Sequence, residues 1–534
     1  MQRGPAASAH AARAAPLPVA VTTPLGERLS RRDVALDVVD VVHGAHGDLI
    51  IGRNQRELER DSRILGCDLP DERFTDHLAH PRGRGHKPSG AHSGVAGGAL
   101  CGDLVRLDLA IRGDGVVDAG FDAAGCGATI AAASATVELV RGAPVLEAAR
   151  IGSAQVAAAL GGLSVGKLHA ADLAADALAR ALGGAARADA ALAPAPDRTL
   201  VAMSGGVDSA VAALRAPGEA VAVTLELWRD PENDGERSCC SADAVRGARA
   251  LAHRMGMAHF TLDLRDEFRA GVVEPWLADH AEGLTPNPCV GCNGHVRLDA
   301  MLAFADRLGA ATLSTGHYAR RTPDGLLRQA ADPAKDQTYM LAALSRATLG
   351  RLRFPLGELR KPEVRDIARE AGLPVASKAD SQDLCFLAGT GRARFLARHG
   401  GLNDRPGDIV DRAGRLVGRH RGHHNFTVGQ RRGLGIGGVE EPLYVVRTDA
   451  QANTVTVGVK ADLATQTVRV RGVRLHRDAA EVDAVKLRYR SPAVPCSLDG
   501  ERIELREPVH GVAPGQIACF LRGDVVVGCA TIVG

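Results

Sequence analysis

The chain has 534 residues, 45% hydrophobic and 24% charged, with a formal net charge of +2. This balance describes a globular chain of three or more domains; it provides no global field to hold a polyanion, and aromatics at 3% argue against a stacking-rich single-strand binder. Eleven cysteines over this length read as reduced thiols in a cytoplasmic setting rather than a disulfide framework. No run approaches the roughly 18 apolar residues of a membrane helix, and Pro5, Pro16 and Pro18 interrupt the opening stretch as a secretory signal would not.

Residues 1–90, rich in Arg, Asp, Gly and His without periodicity, read as a disordered or weakly ordered extension. From Val105 the pattern sharpens. Val105, Leu107, Leu109 and Ile111 alternate with polar or small neighbours, Gly113-Asp114-Gly115 turns, and a second strand ends near Phe121: a β-hairpin with one buried face. Ala-rich helical stretches near 128, 145–160 and 170–182 complete a small α+β domain over 91–182. Cys101-Gly102-Asp103 precedes the hairpin and Gly125-Cys126-Gly127 closes it. These two sites, with Lys167-Leu168-His169, resemble the NifU or IscU iron–sulfur scaffold family. The resemblance implies an iron–sulfur cluster held by three cysteines with an Asp and a His, but Ala170 stands where that family has its third cysteine. Cys101, Asp103, Cys126 and His169 remain as donors competent for zinc or iron. The plain alternative is a pair of small core cysteines.

Gly183 to Asp197, with Gly-Gly, alanines and prolines, reads as a linker. The apolar run Leu200-Val201-Ala202-Met203 then meets Ser204-Gly205-Gly206-Val207-Asp208-Ser209. A strand that turns through two glycines into a helix gathers unpaired N–H groups on one point, a nest for phosphate. No Gly-Lys-Ser/Thr follows, so this is not a Walker loop. It resembles the pyrophosphate loop of the ATP pyrophosphatases, which cleave between the α and β phosphates. Downstream, apolar strand patterns at 220–225, 259–264 and 311–314 alternate with helical ones at 241–255 and 296–308. That alternation predicts a doubly wound parallel sheet over 198–380. Thr315-Gly316-His317-Tyr318 follows one strand, at the sheet end where ligands bind.

Two cysteine loops come next. Asn287-Pro288-Cys289-Val290-Gly291-Cys292-Asn293 feeds a helix, whose dipole favours a thiolate at Cys292, and Asp380-Ser381-Gln382-Asp383-Leu384-Cys385-Phe386 sets another thiol among polar residues. These motifs, with the Ser204 loop, Thr315 to Tyr318, Lys335-Asp336-Gln337 and Gly429-Gln430-Arg431-Arg432-Gly433, occur in one order. Residues 198–534 resemble the bacterial tRNA-specific 2-thiouridylase (MnmA) family. The resemblance implies ATP, with Mg²⁺, bound by Ala202, Met203, Ser204, Gly205, Gly206, Val207, Asp208 and Ser209, together with Leu225 and Gly316. It also implies that Cys385 carries a persulfide. Cys292 then either attacks the disulfide formed with substrate or reduces the persulfide. Cys289 occupies a place that is often Asp in that family; it is either a ligand of a four-iron cluster with Cys292 and Cys385, or a resolving thiol.

Arginines and histidines crowd 411–432 in a basic strip, so 381–442 is read as a central tRNA-contacting region. Short alternating strands from 443 to 534 predict β-barrel modules. Within the resemblance, His317, Lys335, Asp336, Gln337, Arg488, Tyr489 and Gln516 match positions that touch tRNA. The implied activity is ATP-dependent 2-thiolation of a tRNA wobble uridine, with a sulfur-donor protein (a cysteine desulfurase or sulfur relay) and tRNA as partners and no membrane. Two alternatives stay open: another adenylating pyrophosphatase, which has no use for paired cysteines, and a non-catalytic sulfur or metal carrier that binds RNA.

Overall fold

The computed structural model describes residues 71–97, 102–230, 242–380, 384–387, 389–438 and 440–533, plus a short antiparallel backbone pair, Val42–His43 with Leu49–Ile50. Cys101 and 381–383 lie outside the described residues. An ordered unit starts at Asp71, twenty residues earlier than the sequence reading placed it. Asp71 caps the helix Glu72–Ala79 by accepting the Arg73 N–H at 2.8 Å, and Phe74 is buried against Ala128, Ala131 and Ala171. The buried aromatic, the cap, buried His77 at 2.9 Å from Ser134 and the bridge of Arg84 to Phe121 tie down a segment whose composition is otherwise polar.

The hairpin is Leu104–Arg112 with Gly115–Ala124, joined by a third antiparallel strand, His92–Gly97. Val105, Leu107, Leu109 and Phe121 are fully buried, each contributing about 1.5–3 kcal/mol by leaving water. The helices Gly127–Val140 and Leu168–Asp189 pack on this sheet.

Leu168–Asp189 serves two sheets, which corrects the linker expectation for 183–197. On one side it meets His92–Gly97 so closely that a Cβ on Gly94 would lie 2.1 Å from the Ala177 carbonyl oxygen. On the other it lies on the strand Ala258–Asp263, where a Cβ on Gly183 would lie 1.8 Å from the Thr261 carbonyl oxygen. Glycine and alanine here permit close packing rather than flexibility. Buried Arg249 donates to Asp176 at 2.7 Å, and Arg180 pairs with Glu226 at 2.6 Å, closing the same interface with charge. The scaffold-like unit and the sheet behind it share one hydrophobic core.

That sheet is five-stranded and parallel, in the order Leu352–Arg353, Ala310–Ser314, Ala195–Ala202, Glu219–Glu226, Ala258–Asp263. The chain starts in the middle, moves to one edge and then crosses over, so the switch point lies between Ala195–Ala202 and Ala310–Ser314, where a crevice opens. Beyond it, Gly407–Val410 and Leu416–His420 form a four-stranded sheet with Tyr444–Asp449 and Thr454–Gly458. The basic strip is therefore built into a sheet that continues past 442. Six further strands close into a barrel, Val525–Ile532 pairing with both Ala464–Leu475 and Ile517–Arg522.

Candidate active site

The strand Ala195–Ala202, with Leu200 and Val201 fully buried, delivers the loop Ser204 to Ser209 into the helix Val207–Leu214. Gly205 adopts φ +67°, a turn open to glycine at little cost. The Ser209 hydroxyl donates to the Gly206 carbonyl at 3.0 Å and accepts the Ser204 N–H at 3.1 Å, so the two serines lock the loop. Gly316 packs directly on it: a Cβ there would lie 2.8 Å from the Ser209 nitrogen. Ala202, Met203, Ser204, Gly206, Val207, Asp208, Ser209, Leu225 and Gly316 all border one cavity of about 1160 Å³; Gly205 turns its back to it.

The charge around this loop comes from lysine. Lys361 donates to both Asp208 oxygens at 2.7 and 2.8 Å and pairs with Asp380 at 2.9 Å. Lys335 and Arg365 also hold Asp380, at 2.7 and 3.0 Å, and Lys378 donates to the Gly205 carbonyl at 2.9 Å. Burial alone would raise the Asp380 carboxyl, but Lys335 and Lys361 outweigh it and hold it at about 2. Tyr318 donates to Asp208 at 2.8 Å; burial, reinforced by that carboxylate, pushes its hydroxyl far up. His317, with its Nδ1 2.9 Å from Thr315 Oγ1, is lowered by burial to about 3, the Arg297 charge adding to the effect, so the imidazole is neutral at pH 7.

Cys289, Cys292 and Cys385 border the same cavity. Cys292 opens a π-helical turn, Cys292–Arg297, which follows the helical turn Pro288–Gly291; such turns concentrate at functional sites. Cys385 is anchored by its neighbour Phe386, whose ring lies 5.3 Å from Trp276 and 5.1 Å from Phe395. Two thiols from segments far apart in sequence thus face one chamber with the phosphate loop.

The residues that the resemblance assigns to tRNA divide. His317, Lys335, Asp336, Gln337 and Tyr489 border the cavity. Asp336 accepts the Ala330 N–H at 3.1 Å and the Thr338 hydroxyl, and Gln337 accepts the Tyr318 N–H at 2.9 Å through its oxygen, so both side chains are tethered to the wall. Arg488 donates to the Val428 carbonyl at 3.0 Å and to Gly511, and Gln516 donates to the Thr285 carbonyl. Neither borders the cavity; both brace the junction of barrels and nucleotide domain.

In the scaffold-like unit, donor atoms of Asp103, Cys126 and His169 lie within 4.8 Å of one another. Thr129 donates to Asp103 Oδ2 at 2.6 Å and the Cys126 N–H to Oδ1 at 3.2 Å. His169 Nδ1 faces the Gly166 carbonyl at 2.9 Å, and its Nε2 lies 3.3 Å from Asp103. A carboxylate, a thiol and an imidazole converging on one point are donors that fit a cation once their protons are displaced. Ala170, in the place of a third cysteine, is fully buried and apolar. Among the described residues Cys126 is the one thiol of this cluster; Cys101, the other cysteine assigned to it, lies outside them.

Four known domain families match in series: the NifU-like N terminal domain over 71–187, the tRNA methyl transferase HUP domain over 197–389, its PRC-barrel domain over 393–459, and the aminomethyltransferase beta-barrel domain over 448–532. A bifunctional protein NifU/MnmA of Rubrobacter xylanophilus is 44% identical over 473 residues, 85% of this chain and 96% of that one. The chain belongs to the NifU/MnmA family. The tRNA-specific 2-thiouridylases MnmA of Zymomonas mobilis and Rhodospirillum rubrum are 42% and 44% identical, each over 92% of its own length but only 62% and 61% of this one. NifU/MnmA architecture thus adds the front unit to a region that matches 92% of each of these MnmA proteins.

Sequence reasoning missed Lys361 and Lys378, and a signal for them was present. Only seven of the 65 basic residues are lysine, and Lys335, Lys361, Lys378 and Lys486 gather at this one cavity or on its carboxylates. Arg297, Arg365 and Arg490 also stand at the cavity or on its carboxylates, but a compact ammonium, Lys361, stands where a point charge must fit between Asp208 and Asp380.

Proposed function

We infer that the chain 2-thiolates the wobble uridine of tRNA at the expense of ATP. The observation that carries the reading is the single cavity bordered by the Ser204 to Ser209 loop, Cys292 and Cys385. The uracil 2-carbonyl oxygen is a poor leaving group. Its attack on the α-phosphorus of ATP, with loss of the N3 proton and release of pyrophosphate, makes an O-adenylate from which it can leave as part of AMP. Loop N–H groups with Lys361 and Lys378 would take the polyphosphate charge, and Asp208, whose oxygens Lys361 and Tyr318 hold in this structure, would give them to Mg²⁺, which would spread that charge further.

The terminal sulfur of a Cys385 persulfide then attacks C2, and AMP leaves with the oxygen. The Cys292 thiolate attacks the Cys385 sulfur, so the thiouridine departs and a Cys292 to Cys385 disulfide remains. Neutral His317 and Lys335 border the chamber where the splayed base is received, offering edge and phosphate contacts. A sulfur-donor protein of the desulfurase or relay class loads Cys385. In the front unit Asp103, Cys126 and His169, with Cys101 as a fourth donor, would hold zinc or iron, and the buried Ala170 in place of a third cysteine speaks against a labile cluster of the usual kind. No helix among the described residues is long and apolar enough to cross a membrane, and the working compartment is the cytoplasm.

Replacing Cys385 by Ser should remove 2-thiouridine from nucleoside digests by ~10³-fold or more while tRNA-dependent pyrophosphate release persists. Loss of both activities in a folded variant would sink the role given to Cys385.

A further inference from the structure

Cys289 borders the cavity and has no task in the chemistry above. It sits in the turn Pro288–Gly291, and the Cys292 N–H bonds back to the Cys289 carbonyl. Asn287 fixes the start of that turn, its Oδ1 accepting the Cys289 N–H at 3.1 Å. Residues three apart on a helix share one face, with Cβ atoms about 5–6 Å apart; modest χ1 and backbone adjustment brings such a pair within disulfide reach. Exposure differs between the two thiols: Cys292 is only 6% exposed, whereas Cys289 is half-buried at the rim. A disulfide between Cys292 and Cys385 would bury its Cys292 sulfur in a chamber that also receives tRNA, leaving only the half-buried Cys385 side to an external dithiol.

We propose that Cys289 is the resolving thiol that reopens the enzyme after each turnover. This rests on the roles given above to Cys385 and Cys292. The Cys289 thiolate, its proton lost to solvent, attacks the Cys292 sulfur. The Cys289–Cys292 bond forms as the Cys292–Cys385 bond breaks, and Cys385 leaves as a thiolate ready for the next sulfur. The exchange is redox-neutral. A soluble dithiol of the thioredoxin class then reduces the rim disulfide, its own two sulfurs becoming the oxidised pair. Exchange between neighbours on one helical face proceeds at high effective concentration, which a diffusing reductant at the chamber floor does not match.

The test uses the full chain with tRNA, ATP and inorganic polysulfide as sulfur source, without added thiol, followed by alkylation and tryptic mass mapping. Cys289 and Cys292 fall on one tryptic peptide, Ala270 to Arg297, and Cys385 on another. Wild type should yield the first peptide alone, lighter by two hydrogens. Cys289→Ser should instead accumulate the two peptides cross-linked, and its steady-state thiolation with a dithiol reductant should fall about tenfold. Cys289→Asp, the residue type common there in the MnmA family, should behave as the Ser variant does, and wild-type thermal midpoints with undiminished tRNA-dependent pyrophosphate release in a single turnover exclude a folding defect in both. Equal cross-linking in wild type and both variants, or undiminished steady-state turnover in the variants, would overturn this inference alone. Thiolation without any disulfide in the three proteins would overturn it together with the reading of Cys292 and Cys385.

Discussion

Both polar sites of the molecule are organised by a carboxylate, and what surrounds each carboxylate differs. Asp103 gathers a thiol, a hydroxyl and an imidazole; Asp208 and Asp380 gather Lys335, Lys361, Arg365 and a phenol. Burial opposes ionisation at Asp103, yet hydrogen bonds from Thr129, Cys126 and His169 outweigh it and keep it below the usual range. The first arrangement is short of positive charge and suits a cation. The second has more cations than it needs, and the surplus is free to meet phosphate. The charge of the guest can be read from the neighbours of the acid, not from the acid itself.

The comparison breaks most severely at the interface the two regions share. Arg249→Ala strips the partner from Asp176, both side chains being under a tenth exposed, and should cost about 3–5 kcal/mol in urea unfolding. Lys361→Ala separates the sites instead: pyrophosphate release should fall ~10²–10³-fold, as for loss of one preorganised donor, with cobalt binding at Asp103 untouched. Conversely, Cys126→Ser should weaken cobalt binding about 10–100-fold, read from loss of the thiolate charge-transfer band, and leave pyrophosphate release intact.

The smallest effect is a pH dependence that belongs to the nucleotide site. His317 is held at about 3 against an ordinary 6.5, so the unfolded chain binds the extra proton between those values. Its contribution to stability is complete above pH 6.5 and drains away as pH falls towards about 3. Asp380, at about 2 against 3.8, keeps its contribution above 3.8 and loses it on the way to about 2. Urea midpoints across this range should show His317→Gln flattening the upper limb and leaving the lower one in place.

The strand, glycine turn and helix at Ser204, the hairpin at Val105 and the parallel alternation were legible because periodicity and glycine geometry act over a few residues. Composition misled at Gly183, where small residues mark a helix pressed against two sheets; a linker and a tight contact select the same side chains. Asp336, Gln337, Arg488 and Gln516 carry the right chemistry for RNA, yet their hydrogen bonds run into the wall and the domain junction.

The sequence by itself determined which chemical groups this protein possesses and the order in which they come: a phosphate loop, two cysteine segments, and a scaffold motif lacking one ligand. Only the tertiary structure decided which of them meet. Lys361 reaches Asp208 across 153 positions, and Cys292 and Cys385 share a chamber because strand order and aromatic packing put them there. Such pairings depend on chain closure and burial summed over the whole fold, and no local pattern records them.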